Sequence, residues 1–296
     1  MKRLALLLAL AHLSGCNQVF GLDDTRLVDA SHPFFDAPPE PPPGCPPAGT
    51  QLVFAAGLTQ VVFQNCRQYI PSFTPGSAIA MCEEDNGSFS YGRVDNGLLP
   101  AEFDVPCAQL PNSCYQIRSM PEGSDALLSW FEDATLSTKL TRLRRDAEGK
   151  WHSIGAFTAP FASSFLNDDW SQPTRGPERR LIVNAPISNP VRELKATEPY
   201  DTWVEVDRYT MAQLGTLSMT SPRLTADGLH LVFKGQPPSA PMQQLMIADR
   251  ASITDRFNPA MTVPGIPLVD DAVLSDDCER LYFYGLESIF YQKRMR

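Results

Sequence analysis

The chain of 296 residues carries 43% hydrophobic, 20% charged and 9% aromatic side chains, which suits a packed body and excludes a largely disordered one. Its formal charge of −9 excludes the basic stripe that tracks phosphates, so no nucleic-acid partner is expected. No apolar run reaches the roughly 18–20 residues of a membrane-spanning helix.

Residues 1–15 open with Lys2 and Arg3, continue as an apolar stretch from Leu4 to Leu10, and end on small residues before Cys16. A positive start, a short apolar middle and small residues before a cut site make a secretory signal peptide. The tetrad Leu13-Ser14-Gly15-Cys16 resembles the lipobox of bacterial lipoproteins. That resemblance implies cleavage after Gly15, lipid attachment at the Cys16 thiol and acylation of the new amino terminus, so the membrane becomes a partner. An ordinary signal peptide with a cysteine merely nearby is the other reading. Each buried CH₂ contributes about 0.8 kcal/mol, so several chains on Cys16, palmitate among them, hold far more firmly than one. Asn17 is not the aspartate that retains lipoproteins at the inner membrane. By resemblance the protein is expected at the outer membrane, on its periplasmic face or the cell surface.

Residues 16–48 form a proline-rich tether, with eight prolines between Pro33 and Pro47. Proline lacks the backbone N–H and biases its predecessor away from helix, so the stretch is expected to be extended. At about 3.1 Å per residue, Pro38 to Pro47 would act as a spacer of roughly 30 Å. A proline-rich ligand for an aromatic groove is the alternative.

The body, 49–296, reads as all-β: short runs such as Gln51–Phe54, Arg180–Val183 and Leu281–Tyr284 lie between Gly, Pro, Asp and Ser clusters. Asp133 to Arg145 has the best helical periodicity and reads equally as a charged strand followed by a turn. Two late segments, Pro222–Phe233 and Ala272–Phe283, superpose without a gap at an offset of 50. Each has a short strand, a hydroxyl residue, an Asp-containing turn and a strand of alternating apolar positions. Asp227, Asp276 and Asp277 suit the turn because a carboxylate can accept bonds from backbone N–H groups two residues on, and Gly228 supplies positive φ. Further strands follow at Leu245–Arg250 and Ser288–Lys293. Weaker copies upstream align Met81, Leu128, Val183, Phe233 and Phe283, at spacings of 47, 55, 50 and 50. One such unit cannot bury its own faces, so the units must stack. Four-stranded antiparallel meanders repeated at this period give a β-propeller, here of five blades with six as the alternative. The last unit ends after its third strand, and Gln51–Phe54 and Thr59–Phe63 are candidates for the strand that closes it.

Pro222–Phe233 resembles the blade signature of TolB-like propellers, a cousin of the WD-repeat class, and Ile247–Ala251 is similar to the strand and turn that follow. Thr225-Ala226 stands where Ser-Pro is usual, and Cys278 where glycine is expected. The resemblance implies a rigid scaffold with protein contacts in the cell envelope.

Seven cysteines less Cys16 leave Cys45, Cys66, Cys82, Cys107, Cys114 and Cys278, which permit 15 full pairings in an exported chain. If an N-terminal strand closes the last blade, Cys45 or Cys66 lies near Cys278, while Cys82, Cys107 and Cys114 belong to the first blade and could pair locally. No Cys-x-x-Cys suggests a metal.

Catalytic motifs are scarce. Gly-x-Ser-x-Gly and His-Glu-x-x-His are absent. Beyond the tether's His32 only His152 and His230 follow Cys16, and His230 shares the repeat position of Arg280, which predicts an outward strand residue. Asp168-Asp169 and Asp270-Asp271 with Asp276-Asp277-Glu279 are acidic clusters that could hold calcium or serve glycoside hydrolysis, though turn chemistry already explains Asp276-Asp277. Arg144–Trp151 resembles a sialidase Asp-box loosely and reads as a hairpin turn before a packed tryptophan. Lys293-Arg294 and Arg296 read as a solvated basic end. The expectation is a lipid-anchored envelope propeller that binds a protein, peptide or glycan without a catalytic or cofactor-binding residue. A propeller hydrolase or lyase acting on carbohydrate, and a structural envelope protein without a discrete ligand, are the alternatives.

Overall fold

The computed structural model describes residues 45–55, 59–64, 66–71, 77–83, 89–95, 114–119, 125–132, 137–147, 151–156, 169–184, 190–197, 200, 202–266, 271–285 and 288–295. Among them all regular structure is β, in five antiparallel sheets. The first strand, β1 (Thr59–Gln64), joins the last sheet. Blade 1 is β2 (Cys66–Pro71), β3 (Ser77–Glu83) and β4 (Phe89–Asp95). Blade 2 is β5 (Cys114–Ser119), β6 (Asp125–Glu132), β7 (Ser137–Arg145) and β8 (Trp151–Ala156). Blade 3 is β9 (Asp169–Trp170), β10 (Glu178–Asn184), β11 (Val191–Thr197) and β12 (Val204–Tyr209). Blade 4 is β13 (Met219–Leu224), β14 (His230–Gly235), β15 (Gln244–Asp249) and β16 (Met261–Thr262). Blade 5 is β17 (Asp271–Leu274), β18 (Arg280–Gly285), β19 (Ser288–Lys293) and β1.

The chain is a five-bladed β-propeller. Its aligned apolar positions Met81, Leu128, Val183, Phe233 and Phe283 fall in β3, β6, β10, β14 and β18, the second strand of every sheet. The strands that head the sheets approach their neighbours, β13 lying against β9 and β17, and β17 against β2, so these are the strands around the channel. β1 pairs antiparallel with β19 (Thr59 opposite Tyr291), and Phe54 bridges to Arg294. The N-terminal segment thus completes the C-terminal blade, and the exposed edge of β19 is removed.

Period-two alternation drives the stacking. In β14, Leu231 and Phe233 enter the cluster shared with Ile182 of blade 3, while Val232 enters the one shared with Leu274 and Phe283 of blade 5. In β15, Met246 and Ala248 follow the first pattern, and Leu245 and Ile247 the second. β14 and β15 are therefore buried on both faces, and the outermost strand of blade 3, β12, exposes Val204 and Val206. Leu52 and Phe54 seal the blade 4–blade 5 core from the N-terminal side.

Several sequence readings resolve here. Within 133–145 the helical periodicity gives way to strand β7, which the charged-strand reading anticipates; Ser137–Arg145 pairs with both β6 and β8. Arg145 and Trp151 face each other across the expected hairpin. Cys114 heads the second blade rather than lying in the first. The basic end is not simply solvated: Lys293 is in β19, and the Arg294 guanidinium meets Glu279 Oε1 at 2.5 Å.

Candidate functional site

One register rung runs through all five blades. The residues after the aligned apolar positions, Cys82, Ser129, Asn184, Lys234 and Tyr284, face Cys66, Gln116, Asp169, Thr220 and Asp271 on the inner strands. At this end of the channel the inner strands therefore bring two carboxylate residues, a hydroxyl residue, an amide residue and a cysteine to equivalent positions. Of the acidic clusters singled out above, Asp169 and Asp271 reach the rung, and Asp168 and Asp270 lie outside the described residues.

Around Asp169 and Asp271 the geometry is built by β13. This strand carries a bulge between Thr220 and Arg223, where Ser221 has φ +51°. The Ser221 N–H donates to Asp169 Oδ2. The Arg223 guanidinium, 1% exposed, donates through Nη2 to Asp271 Oδ2 and through Nη1 to Trp170 O at 3.3 Å. One arginine thereby ties three consecutive inner strands together. Asp271 keeps 18% of its side chain exposed, and its Oδ1 accepts no hydrogen bond from the chain. The bulged strand between two acids is not legible in the linear sequence, although the offset of 51 from Asp169 to Thr220 and from Thr220 to Asp271 is a signal that a repeat alignment could use.

A second ionic group is sealed within the blades. Glu193, 1% exposed, accepts from Arg250 Nη1 at 2.8 and 3.1 Å, from Arg180 Nη1 at 3.4 Å and from Tyr209 Oη at 2.8 Å. Burial, with the Glu193 charge beside it, drives the Tyr209 hydroxyl well above its usual range. Arg250 also donates to Gly228 O at 2.8 Å. This group joins blades 3 and 4 and faces no solvent, so its role is structural.

The turn residues behave as their chemistry dictates. Asp227 Oδ1 accepts from Thr225 Oγ1 at 2.6 Å and Leu229 N at 2.9 Å; Asp277 Oδ1 accepts from Ser275 Oγ at 2.5 Å and Glu279 N at 2.9 Å. Gly228 has φ +72° and Cys278 φ +56°. Asp276 reaches sideways instead, accepting from Ala226 N of blade 4 at 3.3 Å and lying 3.7 Å from Arg175 Nη2.

Cys45 and Cys278 are joined by a disulfide across 233 residues of sequence. The register sets Cys66 opposite Cys82, and Cys114 opposite Trp130; Cys16 and Cys107 lie outside the described residues, as does His32. His152 is exposed and meets Asp146 Oδ2 at 2.5 Å. His230 is not the outward residue that its repeat position suggests. It is 2% exposed, because Thr50–Leu52 and the disulfide cover the face that Arg280 leaves open in blade 5. Its Nδ1 lies 3.9 Å from Cys278 Sγ, its Nε2 has no partner, and desolvation lowers its pKa.

No protein-family model and no curated protein matches the sequence. Solved structures do. A glycosyl hydrolase from Bacteroides ovatus is 10% identical, with a TM-score of 0.51 over 86% of this chain and 92% of its own. The exo-β-1,3-galactanase of Phanerochaete chrysosporium is 10% identical, with a TM-score of 0.50 over 82% of this chain and 64% of its own. TolB from Acinetobacter baumannii is 9% identical, at 0.47 over 79% and 55%. At these identities the first two establish the fold alone, and the third carries no argument.

Proposed function

We propose that the protein binds a glycan at the channel end where Asp169, Thr220 and Asp271 share a rung, and holds it without cleaving it. The carrying observation is the Asp271–Arg223 pair beside Asp169 on three consecutive inner strands. Sugar hydroxyls donate and accept in adjacent pairs, and carboxylates fixed on rigid strands, one with a buried Oδ1 that no group of the chain satisfies, accept from them without an ordering cost at binding. Both acids are tied to β13, which fixes them in position as acceptors. Titration calorimetry against a panel of cell-surface glycans tests this. Asp271→Asn is expected to weaken binding by about tenfold or more, the worth of a hydrogen bond to a charged group. Unchanged affinity, or no binding across the panel, overturns it.

Hydrolysis is the second reading, favoured by two carboxylates on alternate blades at one end of a channel, since glycoside cleavage needs such a pair. Release of reducing ends from the same panel, abolished in Asp169→Asn, would put it first. We also propose that Cys16 is acylated and that 16–48 tethers the propeller at the outer membrane, where it meets its ligand. Labelling with a fatty acid, absent in Cys16→Ala, tests the anchor.

A further inference from the structure

Outside the channel, the seam between the N-terminal segment and blade 5 gathers three soft donors. Cys45 Sγ, Cys278 Sγ and one His230 ring nitrogen all lie within 4.8 Å of one another. A tetrahedral zinc with Zn–S near 2.3 Å and Zn–N near 2.0–2.1 Å sets its donors about 3.6 Å (S to N) and about 3.8 Å (S to S) apart. The Cys278–His230 separation of 3.9 Å is close to the first value. The second is reached once the S–S bond opens, because Cys45 sits on coil outside every ladder and its sulfur can swing without breaking strand pairing.

We propose that reduction of the Cys45–Cys278 disulfide converts this seam into a zinc site formed by two thiolates and the His230 imidazole.

Three features fit that site. Two thiolates and a neutral imidazole cancel the charge of Zn²⁺, as a position that leaves Cys278 at 0% and His230 at 2% exposure requires. The cysteine at 278 occupies a left-handed position held by glycine in blade 4, so the chain carries backbone strain to place a thiol there. A small cleft bordered by Thr50, Leu52, His230 and Asp249 opens beside the imidazole.

The redox step balances with a dithiol reductant of the thioredoxin class. Its thiolate attacks Cys45, the more exposed sulfur, and Cys278 leaves as a thiolate. The reductant's second thiol resolves the mixed disulfide. Two electrons and two protons pass to the cysteines, and the reductant becomes a disulfide. Zinc then binds both sulfurs and releases the two protons.

The test uses the full chain after dithiol reduction and removal of the reductant under anaerobic conditions, with zinc ion as the probe and alkylation of each cysteine read by mass spectrometry. One equivalent of zinc should protect Cys45 and Cys278 together, and the zinc concentration needed should rise about tenfold or more in His230→Gln. Protection of neither, protection confined to the other cysteines, or equal protection in His230→Gln overturns the proposal. If reduction abolishes the near-ultraviolet dichroism, its recovery with zinc supports the site and its failure to recover counts against it.

Discussion

Between its inner and second strands blade 4 turns through Thr225-Ala226-Asp227-Gly228, and blade 5 through Ser275-Asp276-Asp277-Cys278. The hydroxyl and the third-position aspartate do the same work in both, each hydroxyl residue also exchanging bonds with the first residue of the next strand, Thr225 with His230 and Ser275 with Arg280. The second and fourth positions differ. Blade 4 has alanine and a glycine, whereas blade 5 has a carboxylate that reaches its neighbour and a cysteine tied to the N-terminal segment. The shared half makes the turn. The divergent half joins blade 5 to what lies beside it, as a closing blade requires.

Breaking the bridge should have the largest effect, and Cys278→Gly breaks it while making the fourth positions alike. Losing the bridge costs about 2–5 kcal/mol, part of it returned because glycine relieves the left-handed strain. Cys45→Ser breaks the same bond without that relief, so urea midpoints should rank wild type above Cys278→Gly above Cys45→Ser. A Cys278→Gly protein as stable as wild type would show that the bridge contributes no more than the backbone strain at Cys278 costs. The reverse exchange, Gly228→Ala, meets both a φ of +72° and Thr174 Cγ2 at 2.8 Å from the new Cβ. It should cost about 1–2 kcal/mol from backbone strain plus the clash, and Thr174→Ser, which removes that methyl, should return the clash component only. Asp227→Ala and Asp277→Ala test the shared half: each should cost about 1 kcal/mol in chemical denaturation, and clearly unequal losses would end the claim that the two turns are equivalent.

Much of this comparison is legible in the sequence because turn chemistry is local. Asp and Gly at fixed offsets, followed by alternating apolar residues, reveal the period, the five sheets and the strand missing from blade 5. Topology narrows the closing disulfide to Cys45 or Cys66 with Cys278 once that missing strand is supplied from the N-terminus, and the structure joins Cys45. What stays hidden depends on non-local contact. Glu193 looks like any strand glutamate until Arg180, Arg250 and Tyr209 converge on it from three other strands and loops. His230 looks outward because its repeat partner Arg280 is exposed, and only the segment at 50–52 reverses that. Asp169 and Asp271 stand out as acids, but Arg223, which ties Asp271 to Trp170, sits inside a repeat unit that reads as structural.

The smallest effect isolates the second position. Desolvation beneath blade 4, with the Asp227 and Asp277 carboxylates also adverse, pushes the Asp276 carboxyl from 3.8 up to about 6, against the pull of Arg175 and the Ala226 N–H. A carboxyl raised in the folded state binds its proton more tightly there than in the unfolded chain. Its contribution is therefore fully present below about pH 4 and is lost as pH rises through about 6. The side chain is 39% exposed, so solvent screening holds that contribution below about 1 kcal/mol. Asp276→Ala, which gives blade 5 the alanine of blade 4, should lose less stability than wild type between about pH 4 and about pH 7 in urea titrations. Parallel curves for the two proteins would mean that Asp276 is as well solvated in the fold as in the free chain. The sideways reach to blade 4 would then be a surface contact rather than part of the join.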